Sequence, residues 1–149
     1  ATSPTKPTGY PFARRVGWVK NDGSSDLAPF QQSGGDRNRI YDWNIDKNSL
    51  LVLSSGAAST YTSVDCSAYI PSTSINAYCL VLATAGSNWV FVRPSTLSNA
   101  TGAVILCRND ASRNQTTWIR CPGQVLDYHR GTDSSSRINI YILGYEDLL

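Results

Sequence analysis

His129 is the only histidine in the chain, so a Ser–His–Asp hydrolase, or any acid–base catalysis by an imidazole, would have to run through it. Asp127 precedes it in Asp127-Tyr128-His129-Arg130, a spacing that puts both side chains on one face of a strand. No Gly-x-Ser-x-Gly elbow is present, and among 19 serines a neighbour to His129 carries little information. The expectation here is an ordinary polar strand face and no catalysis.

Asp42, Asn44, Asp46 and Asn48 place oxygen-bearing side chains at alternate positions, as the opening of a calcium loop does. Such a loop then needs Gly at its sixth place and Glu at its twelfth, where Lys47 and Leu53 stand, so a polar turn is expected. Cys66, Cys79, Cys107 and Cys121 are 13, 28 and 14 residues apart, with no Cys-x-x-Cys and no histidine at ligand spacing. That argues against zinc. Cys79 and Cys107 lie inside apolar runs, where free Cys behaves as a small hydrophobe. Four reduced thiols are expected, with two disulfides as the alternative in a secreted protein. A glycosidase would need two carboxylates held across a cleft, and the ten Asp and one Glu are scattered over turns. No Gly-rich phosphate loop precedes a Lys, and no cofactor is expected.

Four Trp and eight Tyr amid abundant Ser and Asn form a composition suited to recognition, because rigid rings give contact area at low entropy cost. Tyr41, Trp43, Trp118 and Tyr128 are the candidates for a partner surface. The elements that must carry them are short apolar runs separated by Ser, Thr, Asn, Asp and Gly, with no sustained helical period. Strands are expected at 14–20, 39–43, 50–54, 60–66, 75–83, 89–93, 104–108, 116–120, 125–130 and 137–144. Asn21 to Ser25 and Ser33 to Asp36 carry turn chemistry, and Pro71, Pro94 and Pro122 fall at strand ends. This spacing predicts an all-β fold, an antiparallel β-sandwich or jelly roll of two packed sheets.

Two strands are informative about faces. In 75–83, Ile75, Ala77, Cys79, Val81 and Ala83 share one face, and Tyr78, Leu80 and Leu82 share the other. Both faces are apolar, which marks a central strand or one whose second face meets a partner. In the closing strand Ile138, Ile140 and Ile142 should point inward, opposite Asn139, Tyr141 and Leu143. Sheet edges need protection from further pairing, and oligomerisation supplies it.

At 149 residues the chain fits one domain, taken as 12–149, behind an extended arm at 1–11. Pro4, Pro7 and Pro11 give the arm polyproline character, so it is either a tail or a strap laid across a neighbouring subunit. Pro4, Pro7, Tyr10, Arg14 and Arg15 are candidate contacts to such a partner. The charged fraction is 16 % and the net charge +2, with local clustering only at Arg14-Arg15 and at Arg37 with Arg39. That is too little for a nucleic-acid groove. No apolar run approaches a membrane span. The first residue is Ala1, and removal of an initiator Met is the expectation, with no secretory leader core in view.

Several stretches, taken in order, resemble a set of tailed-bacteriophage virion proteins. They are Tyr10-Pro-Phe-Ala-Arg-Arg-Val-Gly17, Leu27-Ala-Pro-Phe-Gln-Gln-Ser-Gly-Gly-Asp36, Ile70-Pro71 before the long apolar strand, and Tyr141-Ile-Leu-Gly-Tyr-Glu-Asp147. The resemblance implies a compact β domain used in head decoration or tail fibres, often trimeric, without enzymatic activity. The expected function is a capsid decoration (cement) protein in the virion, assembled in the host cytoplasm, whose partners are copies of itself and the major capsid protein. The alternative is a tail-fibre or spike tip that binds a host receptor or glycan. The chain departs from the pattern in its four cysteines and in Glu146 after the final Gly-Tyr.

Overall fold

The computed structural model describes residues 8–9, 18–21, 24, 26–35, 38–85, 89–97, 105–108 and 114–148. Its strands are β1 (Phe30–Gly34), β2 (Asn38–Trp43), β3 (Leu51–Gly56), β4 (Thr62–Asp65), β5 (Ser74–Ala85), β6 (Trp89–Pro94), β7 (Ile105–Arg108), β8 (Asn114–Arg120), β9 (Val125–His129) and β10 (Arg137–Leu148). The larger sheet runs β1-β2-β10-β5-β8 with β3 also on β10, and the smaller runs β4-β9-β6-β7. All pairings are antiparallel, and the two sheets pack into a β-sandwich. Helical structure among the described residues is confined to 3-10 turns at Lys47–Leu50 and Pro122–Gln124.

The period-two alternation decides what fills the space between the sheets. On β5, Ala77, Cys79 and Val81 are fully buried, while Tyr78, Leu80 and Leu82 on the other face are half-buried. On β10, Ile138, Ile140 and Ile142 are fully buried, each contributing roughly 1.5–3 kcal/mol. Val64, Val90, Val92 and Leu126 meet them from the smaller sheet.

β10 is the spine. It pairs with β5 along its length, and its other edge is shared by β3 near Ile138 to Tyr141 and β2 from Gly144 onward. The strand expected to end at Gly144 continues to Leu148, because a bulge after Ile142 lets the ladder resume at Gly144 opposite Tyr78. A Cβ on Gly144 would lie 2.2 Å from the Tyr41 carbonyl oxygen, so only glycine permits this approach. Past the bulge, Tyr145 points inward and stacks on Tyr41, with ring centroids 4.6 Å apart at 13°. Phe30 and Trp43 pack around the same stack, and Tyr145 Oη donates to the Trp18 carbonyl at 2.9 Å.

Glu146, the single glutamate, points outward again and accepts hydrogen bonds from the side-chain amides of Asn38 and Asn76 on the flanking strands. β1 was not expected. Its run Phe30-Gln-Gln-Ser-Gly34 shows almost no apolar alternation, because it is an edge strand with four exposed residues. Of the arm, only Thr8 and Gly9 are described, and they form a turn. Pro4, Pro7, Tyr10, Arg14 and Arg15 lie outside the described residues, as does most of the strand expected at 14–20, of which residues 18–20 carry no strand. Pro94 closes β6, Pro122 opens a 3-10 turn and Pro71 precedes β5. Asp46 caps the first 3-10 turn by accepting from the Asn48 N–H at 2.7 Å, so the alternating Asp/Asn stretch is a strand end and a turn.

Candidate functional site

On the smaller sheet, Val90 and Val92 turn inward, which leaves Trp89, Phe91 and Arg93 on the outer face. On β9, Leu126 and Tyr128 turn inward and leave Asp127 and His129 outside. The register sets Phe91 opposite His129, and Arg93 and Ser63 on either side of Asp127. Arg93 Nη2 stands 3.3 Å from Asp127 Oδ2, with side-chain exposures of 8 % and 11 %, so the pair is close to dry. Ser63 Oγ donates to Asp127 Oδ1 at 2.9 Å, and the Arg93 guanidinium lies 3.5 Å from the Tyr61 ring centroid. Stacking and pairing together neutralise and cover the arginine.

His129 sits between the rings of Tyr61 and Phe91, at centroid distances of 4.9 and 4.8 Å. Its Nδ1 accepts the Gly131 backbone N–H at 2.6 Å, which in the neutral ring places the proton on Nε2. Burial holds its pKa below the usual 6.5; a backbone hydrogen bond partly opposes this, and the Arg93 charge adds to it. A histidine that resists protonation when folded contributes stability above about pH 6.5, and that contribution is lost as pH falls toward the folded value, because the unfolded chain then binds more protons. An NMR titration should return a His129 pKa below 6.5. In His129→Gln the fall in unfolding free energy over that acid window should be smaller.

Ser63, Asp127 and His129 are thus brought onto one face, as the Asp127/His129 spacing implied, but their hydrogen bonds do not form a relay. Ser63 and Arg93 occupy Asp127, and His129 turns Nδ1 to Gly131. In a hydrolase triad the acid would hold Nδ1–H and Nε2 would face the serine. Beside this cluster, Trp89, Phe91, His129, Gly131 and Thr132 line an open pocket of about 250 Å³. Trp89 is 43 % exposed.

The outer face of the larger sheet is a second surface. Cross-strand partners share a face, and the register aligns Thr116, Leu80, Tyr141 and Leu51 in one row. In the next row Trp118 stacks on Tyr78, centroids 4.9 Å apart at 24°. Leu51, Tyr78, Leu80 and Leu82 are half-buried and Trp118 is exposed, all of them outside the core cluster, whereas Tyr141 in the same row is buried. Exposed Asn114, Thr116 and Arg120 border the patch on β8.

No family model, curated protein or solved structure matches this chain. Its own geometry therefore carries the functional reading, and that geometry corrects part of the expected partner surface. Tyr41 (1 % exposed), Trp43 (9 %) and Tyr128 (7 %) are core residues. Their inward positions follow from the register, which sets Tyr41 opposite Tyr145 and Tyr128 beside Val92. Trp118, at 37 %, does reach the surface. Trp89 and Phe91 were missed, although the alternation in Trp89-Val-Phe-Val-Arg93 already sets the valines against the aromatics.

Cys66, Cys79 and Cys121 are free and buried, and the Cys107 side chain lies outside the described residues. A hydrogen bond with the Cys121 thiol and burial push the Cys66 thiol up, and burial does the same to Cys79. Cys66 and Cys79 donate weakly to the Val64 and Ala77 carbonyls. Such thiols pack as small hydrophobes and resist reaction. Among the described residues no group of three His, Cys, Asp or Glu converges as a metal site.

Proposed function

We propose that the chain is a non-enzymatic structural protein of a tailed-bacteriophage particle, a decoration (cement) protein that binds over joints between capsid subunits. One observation supports it above the rest: the outer face of the larger sheet carries an apolar patch of Leu51, Tyr78, Leu80 and Trp118, packed around the buried Tyr141 and with a polar border on β8. An apolar centre with a polar rim is the anatomy of a protein–protein interface. A stable contact of this kind buries at least about 1,000 Å² in total. Among the described strands β1 and β8 are the edges of the larger sheet, and a ladder edge is a reason to self-associate, which a trimer would satisfy. The segment 1–11 would reach a neighbouring subunit as an extended strap, its prolines limiting the hydrogen bonds it can add.

The test is rebinding. Purified protein added to particles that lack it should bind saturably and co-sediment with them, and in solution it should have the scattering mass of three chains. A monomer that never co-sediments would defeat the proposal. A second reading, a tail-fibre or spike-tip domain that binds a host receptor or glycan, draws support from the aromatic pocket beside His129.

A further inference from the structure

We infer that the pocket on the outer face of the smaller sheet is a binding site for a single uncharged pyranose ring, as presented at the end or along the chain of a glycan. The inference does not depend on where the protein sits in a particle.

Three properties of the pocket lead to this ligand class. The first is its lining. Trp89 and Phe91 come from β6 and His129 from β9, so three flat rings border a space of about 250 Å³, with Gly131 and Thr132 as the other lining residues among those described. Aromatic faces attract the C–H-rich face of a sugar ring as they attract other weakly polarised surfaces. The volume is below the range of roughly 300–1,000 Å³ that holds drug-sized ligands, which suits one ring and not an extended molecule.

The second is charge. On the same face of the sheet, Arg93 is paired with Asp127 at 3.3 Å and covered by Tyr61 at 3.5 Å. His129 is held neutral above its lowered pKa. Among the described residues that line the pocket none is charged when His129 is neutral, a lining that favours a neutral ligand over a phosphate, carboxylate or ammonium group.

The third is hydrogen bonding. The Gly131 N–H occupies His129 Nδ1, which leaves Nε2–H as a donor of fixed direction at the pocket wall. Thr132, on the exposed rim, brings a hydroxyl that both donates and accepts. Gly131 has φ +74, and a Cβ there would meet the Trp89 carbonyl oxygen at 2.4 Å, so the backbone after β9 hugs β6 and fixes the rim. A flat apolar floor with hydroxyl-compatible groups on its edge matches the two-sided chemistry of a pyranose.

The test is titration of the intact protein with the methyl glycosides of glucose, galactose, mannose and N-acetylglucosamine, following the Trp89 indole N–H and the His129 ring by NMR. Saturable shifts of both signals by at least one glycoside are expected. Trp89→Ala should weaken that binding about tenfold or more, as loss of a stacking ring does. Thr132→Val, a second variant that leaves the aromatic lining whole, should weaken it less. Thermal melts establish that each variant is folded. No shift with any of the four glycosides, shifts confined to other residues, or unchanged binding in folded Trp89→Ala would each overturn the assignment.

Discussion

Asp127→Ala should destabilise the fold by about 3–5 kcal/mol, the largest single effect expected of any substitution on the outer face of the smaller sheet. The reason is the partner left behind. Arg93 keeps a charged side chain at 8 % exposure with Asp127 gone, and the Ser63 hydroxyl loses its acceptor at the same time. Removing the carboxylate leaves a buried guanidinium without its counter-charge, whereas removing both members of the pair leaves no charge to satisfy. For a chain of this length the midpoint of thermal unfolding should fall by about 6–20 °C. The double variant Arg93→Met/Asp127→Leu should recover most of that loss, and a full cycle with both single variants, Arg93→Met and Asp127→Leu, measures the coupling. A loss below about 1 kcal/mol in Asp127→Ala would mean that water reaches the guanidinium and that the pair is a surface pair. The same loss would weaken the case for a charge-free pocket next to it.

Leu80→Lys should abolish most rebinding to particles while leaving the fold intact. Leu80 lies in the middle of the outer row, between Thr116 on β8 and Tyr141 on β10, and stands outside the core cluster. In the free protein the lysine stem lies along apolar neighbours with its ammonium in water, so the melting temperature should change little. In the assembled state the ammonium would be buried without a partner, and central interface positions carry the most energy. A weakening of about 30-fold or more, about 2 kcal/mol, is expected. Co-sedimentation across a range of protein concentrations reads it directly. Equal rebinding by a folded Leu80→Lys protein would move the interface to another surface.

The two long strands were legible because they are long. Ala77, Cys79, Val81 and Ala83 repeat with period two, and so do Ile138, Ile140 and Ile142; that repeat places a face toward the core whatever the topology. It also disclosed the second apolar face of β5, through Tyr78, Leu80 and Leu82, from which the partner argument grows. β1 was illegible because an exposed edge strand of Gln and Ser needs no apolar residue to hold its place. The continuation of β10 was hidden by Gly144, which reads as a strand end and acts instead where a bulge brings two backbones together.

The site was less legible than the fold. Ring type alone cannot say which way a ring points, so Tyr41, Trp43 and Tyr128 read as recognition residues although they face inward. The pairing of Arg93 with Asp127 joins residues 34 apart in the chain, and it exists only once β6 and β9 are neighbours in register. The hydrogen bond from Gly131 that fixes the His129 tautomer is local, yet it depends on a positive-φ glycine whose need is set by Trp89 on another strand.

Imaging of particles that carry the protein, at a resolution that separates the two sheets, tests the central claim most directly. The prediction is that Leu51 and Leu80, with Tyr78 and Trp118 beside them, lie against the capsid or a neighbouring copy, while Trp89 and His129 face solvent on the opposite side. Density that leaves the larger sheet's outer face bare and attaches the molecule by the smaller sheet, or particles with no such density at all, would contradict it.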